Sequence, residues 1–133
     1  MDRPAVQAWL DAYVAAWKSY DQAAIEALFS ADATYRYHPY DDDAVVGRDA
    51  IVRDWLDNRD VAGTYDAHYE PYAVDGDAAV ATGRSSYWDD ASKAKLSRVY
   101  DNVFFLRFDG DGRCTQFTES FMTVPEKVLA TLS

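Results

Sequence analysis

The sequence predicts an α+β fold: a cone in which three N-terminal helices pack on a curved antiparallel sheet. Two observations carry this expectation. Apolar residues recur at helical spacing as far as Leu56, and from Thr64 onward the period changes to two. Helices first and a strand meander afterwards leave the sheet to curl around the helices, with room for a pocket between them.

Val6, Trp9, Leu10, Tyr13, Val14 and Trp17 form one apolar stripe, so residues 5–19 read as an amphipathic helix with Pro4 at its start. Asp21 suits the N-cap of a short second helix over 23–29 that carries Ile25, Leu28 and Phe29. Asp32 marks a turn, and Tyr35 and Tyr37 alternating about Arg36 give a short strand. Asp41-Asp42-Asp43 is a polar loop. Gly47 then precedes a third helix with Ile51, Val52, Trp55 and Leu56 inward, which residues 58–63 end. Strands are expected at 65–74 and 78–88, joined by the hairpin signal Asp75-Gly76-Asp77. A polar connection at 89–95 leads to a long strand over 97–108. The Asp109-Gly110-Asp111-Gly112 turn and a last strand over 114–123 follow. Pro125 opens a terminal helix holding Val128, Leu129 and Leu132. No repeat or linker interrupts the chain, so residues 1–133 are expected to form one domain.

Charge narrows the partners. A net charge of −10 argues against nucleic acid, which needs clustered Lys and Arg, and against an anionic membrane surface. No apolar run approaches membrane-spanning length, and Met1-Asp2-Arg3-Pro4 does not open a signal peptide; the expected location is cytoplasmic. Cys114 is the one cysteine and reads as a structural residue at a strand start. His38 and His68 stand far apart without metal-ligand spacing, and Asp41-Asp42-Asp43 lacks the calcium-loop alternation, so no metal is expected. Phosphate loops, nucleophile elbows and dinucleotide fingerprints are missing too, and no cofactor is expected.

Four pieces in order carry a resemblance that covers almost the whole chain. They are Tyr13-Val14-Ala15-Ala16-Trp17 with Asp21; Ala27-Leu28-Phe29-Ser30-Ala31-Asp32-Ala33-Thr34; Gly47-Arg48-Asp49-Ala50-Ile51; and Phe108-Asp109-Gly110-Asp111-Gly112-Arg113 before the final strand. With them the chain resembles the nuclear transport factor 2-like superfamily, in particular its SnoaL-like and ketosteroid-isomerase-like branches. The superfamily hosts isomerases, cyclases, dehydratases, epoxide hydrolases and non-enzymatic binding domains, so the resemblance implies a fold and a pocket before it implies a reaction. The ketosteroid isomerases' helix-one tyrosine, an oxyanion donor, matches Tyr13. Their general-base aspartate falls at Tyr37 or His38, neither a carboxylate. Their second oxyanion acid falls at or beside Phe104, with Asn102 the nearest polar substitute, and a tyrosine of their third helix is Trp55. One catalytic element of three is present, so the resemblance does not extend to steroid isomerisation by that mechanism.

Strand alternation, read with this resemblance, gives an inward set: Thr82, Arg84, Ser86 and Trp88 on one strand, Arg98, Tyr100, Asn102, Phe104 and Leu106 on the next, Phe117, Glu119 and Phe121 on the last. Arg84 and Glu119 are then either a mutually satisfied pair, two solvated residues on the opposite parity, or a site in which Glu119 is a general base and Arg84 binds a substrate carboxylate or phenolate. His38, beside Pro39, is an acid/base candidate by position, or else a strand-end histidine bonded to the aspartate loop. Tyr13 either packs or presents its hydroxyl to the pocket. The candidate polar set is His38, Tyr13 and Glu119, with Trp17, Tyr37, Trp55, Arg84, Asn102 and Phe121 contacting the ligand. The leading function is binding of a small, partly apolar organic molecule, with cofactor-free acid–base chemistry open. A non-catalytic sensor or interaction scaffold is the alternative, favoured if Trp17, Trp55 and Phe121 plug the cone. A homodimer through the outer sheet face, by Val99, Val103 and Phe105, is the expected assembly.

Overall fold

The computed structural model describes residues 1–132. Helix α1 spans Arg3–Ser19. The Asp2 carboxylate accepts the Ala5 N–H at 2.9 Å, and Tyr20 closes the helix in the left-handed region at φ 50°. Its buried face, Val6, Trp9, Leu10, Tyr13 and Ala16, follows the apolar stripe of the sequence. Helix α2 spans Gln22–Glu26 behind an Asp21 cap, and strand β1 spans Phe29–Arg36. The helix stops short of the expected Phe29, which instead opens β1, and the Leu28 carbonyl is engaged outside the helix. It accepts the Trp9 indole N–H at 3.0 Å and the Cys114 N–H at 2.8 Å. A two-residue strand β2, Val45–Val46, leads into helix α3, Arg48–Asp57, which buries Ile51, Val52 and Trp55.

Strands β3 (Tyr65–Asp75), β4 (Ala78–Trp88), β5 (Leu96–Phe108) and β6 (Cys114–Thr123) form the meander, and a short helix α4, Glu126–Leu129, follows. The curved, unclosed sheet runs in the order β2-β1-β6-β5-β4-β3. It is mixed rather than wholly antiparallel, because β1 pairs with β6 in parallel, Tyr35 facing Phe117 in register. Alternation reports which face a residue occupies and is blind to strand direction, so this pairing left no mark in the periodicity. Strand β2, too short to alternate, pairs with β1 through Tyr35 and Val45.

The concave face packs on α1, whose Gln7 side chain donates to the Tyr69 carbonyl at 2.9 Å. Phe29, Phe104 and Phe117 are fully buried at the centre. Burying such rings stabilises the fold by about 2–3 kcal/mol each. Cys114 starts β6 inside this core, where burial pushes its thiol up to about 12, so it stays protonated and inert. On the convex face the segment after β6 turns back across β5. The Val124 N–H donates to the Val99 carbonyl at 2.9 Å and Val99 is 1% exposed. The expectation that Val99 belongs to an open dimer face is therefore corrected: the chain's own C-terminal segment takes it. No helix among the described residues is long and apolar enough to cross a membrane.

Candidate functional site

A cavity of about 520 Å³ lies between the concave sheet face and helices α1 and α3. Helix α1 contributes Tyr13 and Trp17, and α3 contributes Asp54 and Trp55. Tyr35 and Tyr37 come from β1 and its exit, Tyr69 from β3, Ser85 and Tyr87 from β4. Arg98 and Tyr100 come from β5, Glu119 and Phe121 from β6. Tyr20, Asn58 and Asp60 complete the wall.

Two hydroxyls meet inside the cavity. Tyr13 and Tyr35 lie with their oxygens 3.0 Å apart, and both rings stack on Phe117, Tyr35 at a centroid distance of 4.3 Å. Burial, with their mutual proximity and the nearby Glu119, raises Tyr13 far above a free phenol; burial and Glu119 do the same for Tyr35. Both remain neutral hydrogen-bond donors at physiological pH. Behind the wall, Asn102 donates to the Ser85 hydroxyl at 2.9 Å.

Glu119 sits opposite Phe104 in the β5–β6 register, so its side chain points to the concave face. It is half-buried, and among the described residues its carboxylate has no hydrogen bond or ion pair. Burial pushes its carboxyl up to about 7, an effect that attraction to His38 opposes. A carboxyl poised near neutrality in an aromatic cavity can both take and return a proton.

The two other carboxylates on the wall are held by neutral donors. The Tyr37 hydroxyl donates to Asp54, and the Trp17 indole N–H donates to Asp60 at 2.9 Å. Arg98 lies over the Tyr87 ring at 4.3 Å from its centroid and within 5.9 Å of that of Tyr100.

Residues 10–117 match the SnoaL-like domain family. The chain belongs to that family. Three solved structures resemble this SnoaL-like domain. A ketosteroid isomerase-like protein from Erwinia carotovora atroseptica is 21% identical at a TM-score of 0.61, over 92% of this chain and 97% of that one. An LEH-like epoxide hydrolase from M. tuberculosis is 14% identical at 0.63, over 90% and 84%. An NTF-2-like protein of unknown function from Burkholderia xenovorans is 16% identical at 0.66, over 93% and 90%. No curated protein matches the chain. At these identities the likeness establishes the fold, and the chemistry must be argued from the residues.

Of the residues singled out from sequence, the SnoaL-like cone brings Tyr13, Trp17, Tyr37, Trp55, Glu119 and Phe121 to the cavity wall. Trp17, Trp55 and Phe121 stand on that wall rather than plugging the space. Asn102 lies one layer behind. Arg84 is corrected. It projects from the convex face, where its Nε donates to Asp101 at 2.8 Å across the strand pair, so it neither meets Glu119 nor reaches the cavity. The parity of β4 is one residue off the expected phase: Ser85 and Tyr87 face inward, Ser86 and Trp88 do not.

His38 is corrected as a member of the polar set and takes the second of its two expected places, bonded to the aspartate loop. Strand β1 ends at Arg36, and His38 falls in the following turn, outside the wall. Its Nδ1 is 3.3 Å from Asp41, its ring stacks on Tyr40 at 4.9 Å, and the ring of Phe121, a wall residue, lies 5.4 Å from it. Tyr35, Tyr69, Tyr87, Asp54 and Asp60 escaped the sequence-based site. Tyr35 and Tyr69 had a signal in strand alternation, whereas nothing local marks Asp60.

Proposed function

We propose that this SnoaL-like domain binds a small, partly apolar organic molecule in the cone and exchanges a proton with it through Glu119. The carrying observation is Glu119 itself: a carboxylate facing an aromatic cavity with no partner among the described residues, its carboxyl held near neutrality by burial. In the Tyr13–Tyr35 pair one hydroxyl proton is used between the two oxygens, and the other O–H is left to donate toward a ligand oxygen on which charge develops. Isomerisation, cyclisation, dehydration and hydrolysis can each use this pairing of a proton acceptor with an oxygen-stabilising donor. The names of the similar solved structures, an isomerase-like protein and an epoxide hydrolase, are compatible with that range.

The test is a thermal-shift screen of the full chain against steroids, polyketide-like phenols, terpene epoxides and small acids, followed by product analysis for each hit. Ligands of the native state raise Tm, by an amount that grows with the logarithm of their excess over Kd. Glu119→Gln is expected to keep the thermal shift and to lower turnover by about 10²-fold or more. A hit that wild type binds without product would support the alternative, a ligand-sensing domain. Turnover unchanged in Glu119→Gln would remove the carboxylate from the reaction.

The homodimer expected for the fold would use what stays open on the convex face, Val103, Phe105 and Met122, the last two 46% and 73% exposed. Light scattering that finds a monomer at micromolar concentration would rule it out.

A further inference from the structure

We infer that the molecule taken by the cone is an organic cation, an apolar or aromatic body carrying a protonated amine or quaternary ammonium that seats beside Asp60. The inference deepens the proposed function and rests on the cavity being a ligand site. The cavity wall presents three carboxylates, Asp54, Asp60 and Glu119, against one guanidinium, Arg98. The ion pairs among the described residues all lie elsewhere and include none of the three. Asp54 and Asp60 are bonded instead by phenol, amide and indole donors, which orient a carboxylate without neutralising it.

The rings around Asp60 supply the second half of a cation site. Trp17, bonded to Asp60, and Tyr87, 6.0 Å from Trp17 in an edge-on arrangement, both line the cavity. Aromatic faces attract cations through their negative quadrupole, most strongly where water is excluded. One face of Tyr87 is taken by Arg98 and Trp17 stacks on Tyr65 at 4.4 Å, so the ligand's cation meets only the faces these contacts leave open. Arg98 is exposed and engaged with the Tyr87 and Tyr100 rings, so an anionic ligand would gain one surface cation and face the Asp54 and Asp60 carboxylates, with Glu119 adding charge only once it ionises. The net charge of −10 adds attraction of cations toward the molecule.

The experiment compares three ligands of nearly equal shape on the full chain by tryptophan fluorescence and calorimetry: benzyltrimethylammonium, its uncharged carbon isostere neopentylbenzene, and benzylsulfonate. The ammonium should bind about 10-fold or more tighter than neopentylbenzene, with benzylsulfonate weakest. Asp60→Asn keeps an acceptor for the Trp17 N–H. It should remove most of the ammonium preference, read as the ratio of ammonium to neopentylbenzene affinity in the same protein. Asp54→Asn gives a second measurement should Asp60→Asn fold poorly. Equal binding of ammonium and neopentylbenzene, or tighter binding of benzylsulfonate, would overturn the cation assignment and leave the cavity as a ligand site. A preference that survives both variants would also overturn it. No binding of any of the three at millimolar concentration would overturn both the cation assignment and the ligand reading of the cavity.

Discussion

The hydroxyl oxygens of Tyr13 and Tyr35 lie 3.0 Å apart, one carried by helix α1 and the other by strand β1. This contact ties the N-terminal helix to the sheet at the cavity wall, between two rings that are 7% and 3% exposed. Removing one hydroxyl leaves the other without that partner, which costs about 1–3 kcal/mol for a buried polar group. Tyr35→Phe and Tyr13→Phe should each lose stability in that range by urea denaturation. The double variant should lose less than the sum, because no orphaned hydroxyl is left. Strictly additive losses would mean that the pair is not energetically coupled.

Glu119 should make stability fall as pH rises. Its carboxyl moves from an ordinary value of 4.5 to about 7 in the fold. Below pH 4.5 the group is protonated whether the chain is folded or not, and burial of the neutral acid is tolerated. Between pH 4.5 and 7 the unfolded chain ionises while the folded one holds its proton, so unfolding releases a proton and stability declines with rising pH. Above that window the full penalty, on the order of 3 kcal/mol, is present. Glu119→Gln should lack this decline, so the two stability curves should separate across the window. Parallel curves would mean that Glu119 titrates in the fold as it does in water.

The fold was legible because its elements are long and strongly patterned. The stripe from Val6 to Trp17 puts Tyr13 on the buried face of α1, and the alternation of β6, read with the family resemblance, puts Glu119 on the face that lines the cavity. Arg84 was not legible, since β4 alternates small residues, Ala79, Ala81, Gly83 and Ser85, whose inward face carries no hydrophobic signal. Pairing decides its phase: Gly83 meets Asn102 and Arg84 meets Asp101. His38 had two readings, a pocket acid/base or a strand-end histidine bonded to the aspartate loop, and the second is what the structure has. The Asp41 carboxylate accepts the His38 backbone N–H at 3.2 Å and forms a turn where the strand pattern would have continued. Asp60 reaches the cavity only because its neighbouring backbone is held by Tyr20, whose hydroxyl accepts the Asp60 N–H at 2.9 Å.

These placements separate three variants. Arg84→Ala removes a solvent-exposed ion pair and should change stability by about 1 kcal/mol or less, with ligand affinity unaltered. His38→Ala should move the Glu119 titration upward, since His38 attraction opposes the effect of burial, without abolishing ligand binding. Glu119→Gln alone should remove the titration. A pH profile of ligand affinity for the three proteins distinguishes them, and loss of binding in Arg84→Ala would contradict the convex placement of that side chain.

Gly83 is the position where the cone tolerates least. It faces inward on β4, paired with Tyr69 on one side and Asn102 on the other. A methyl group there would come within 2.8 Å of the Tyr69 Cα and press on the His68 carbonyl oxygen and the Tyr69 ring. Two of these three obstacles are backbone, so the strand pair would have to separate, and the Tyr69 wall of the cavity would shift with it. Gly83→Ala should therefore lose about 3 kcal/mol or more of stability. Gly76→Ala is the informative comparison. Its φ of +60° penalises a side chain, yet nothing stands within 4 Å, so the loss should stay near the 1–2 kcal/mol of a left-handed residue. Gly110→Ala, with open space and no positive φ, should be close to neutral. Thermal denaturation that ranks the three in this order supports close strand approach as the reason for glycine at position 83. A Gly83→Ala protein as stable as Gly110→Ala would mean that β3 and β4 pair in another register.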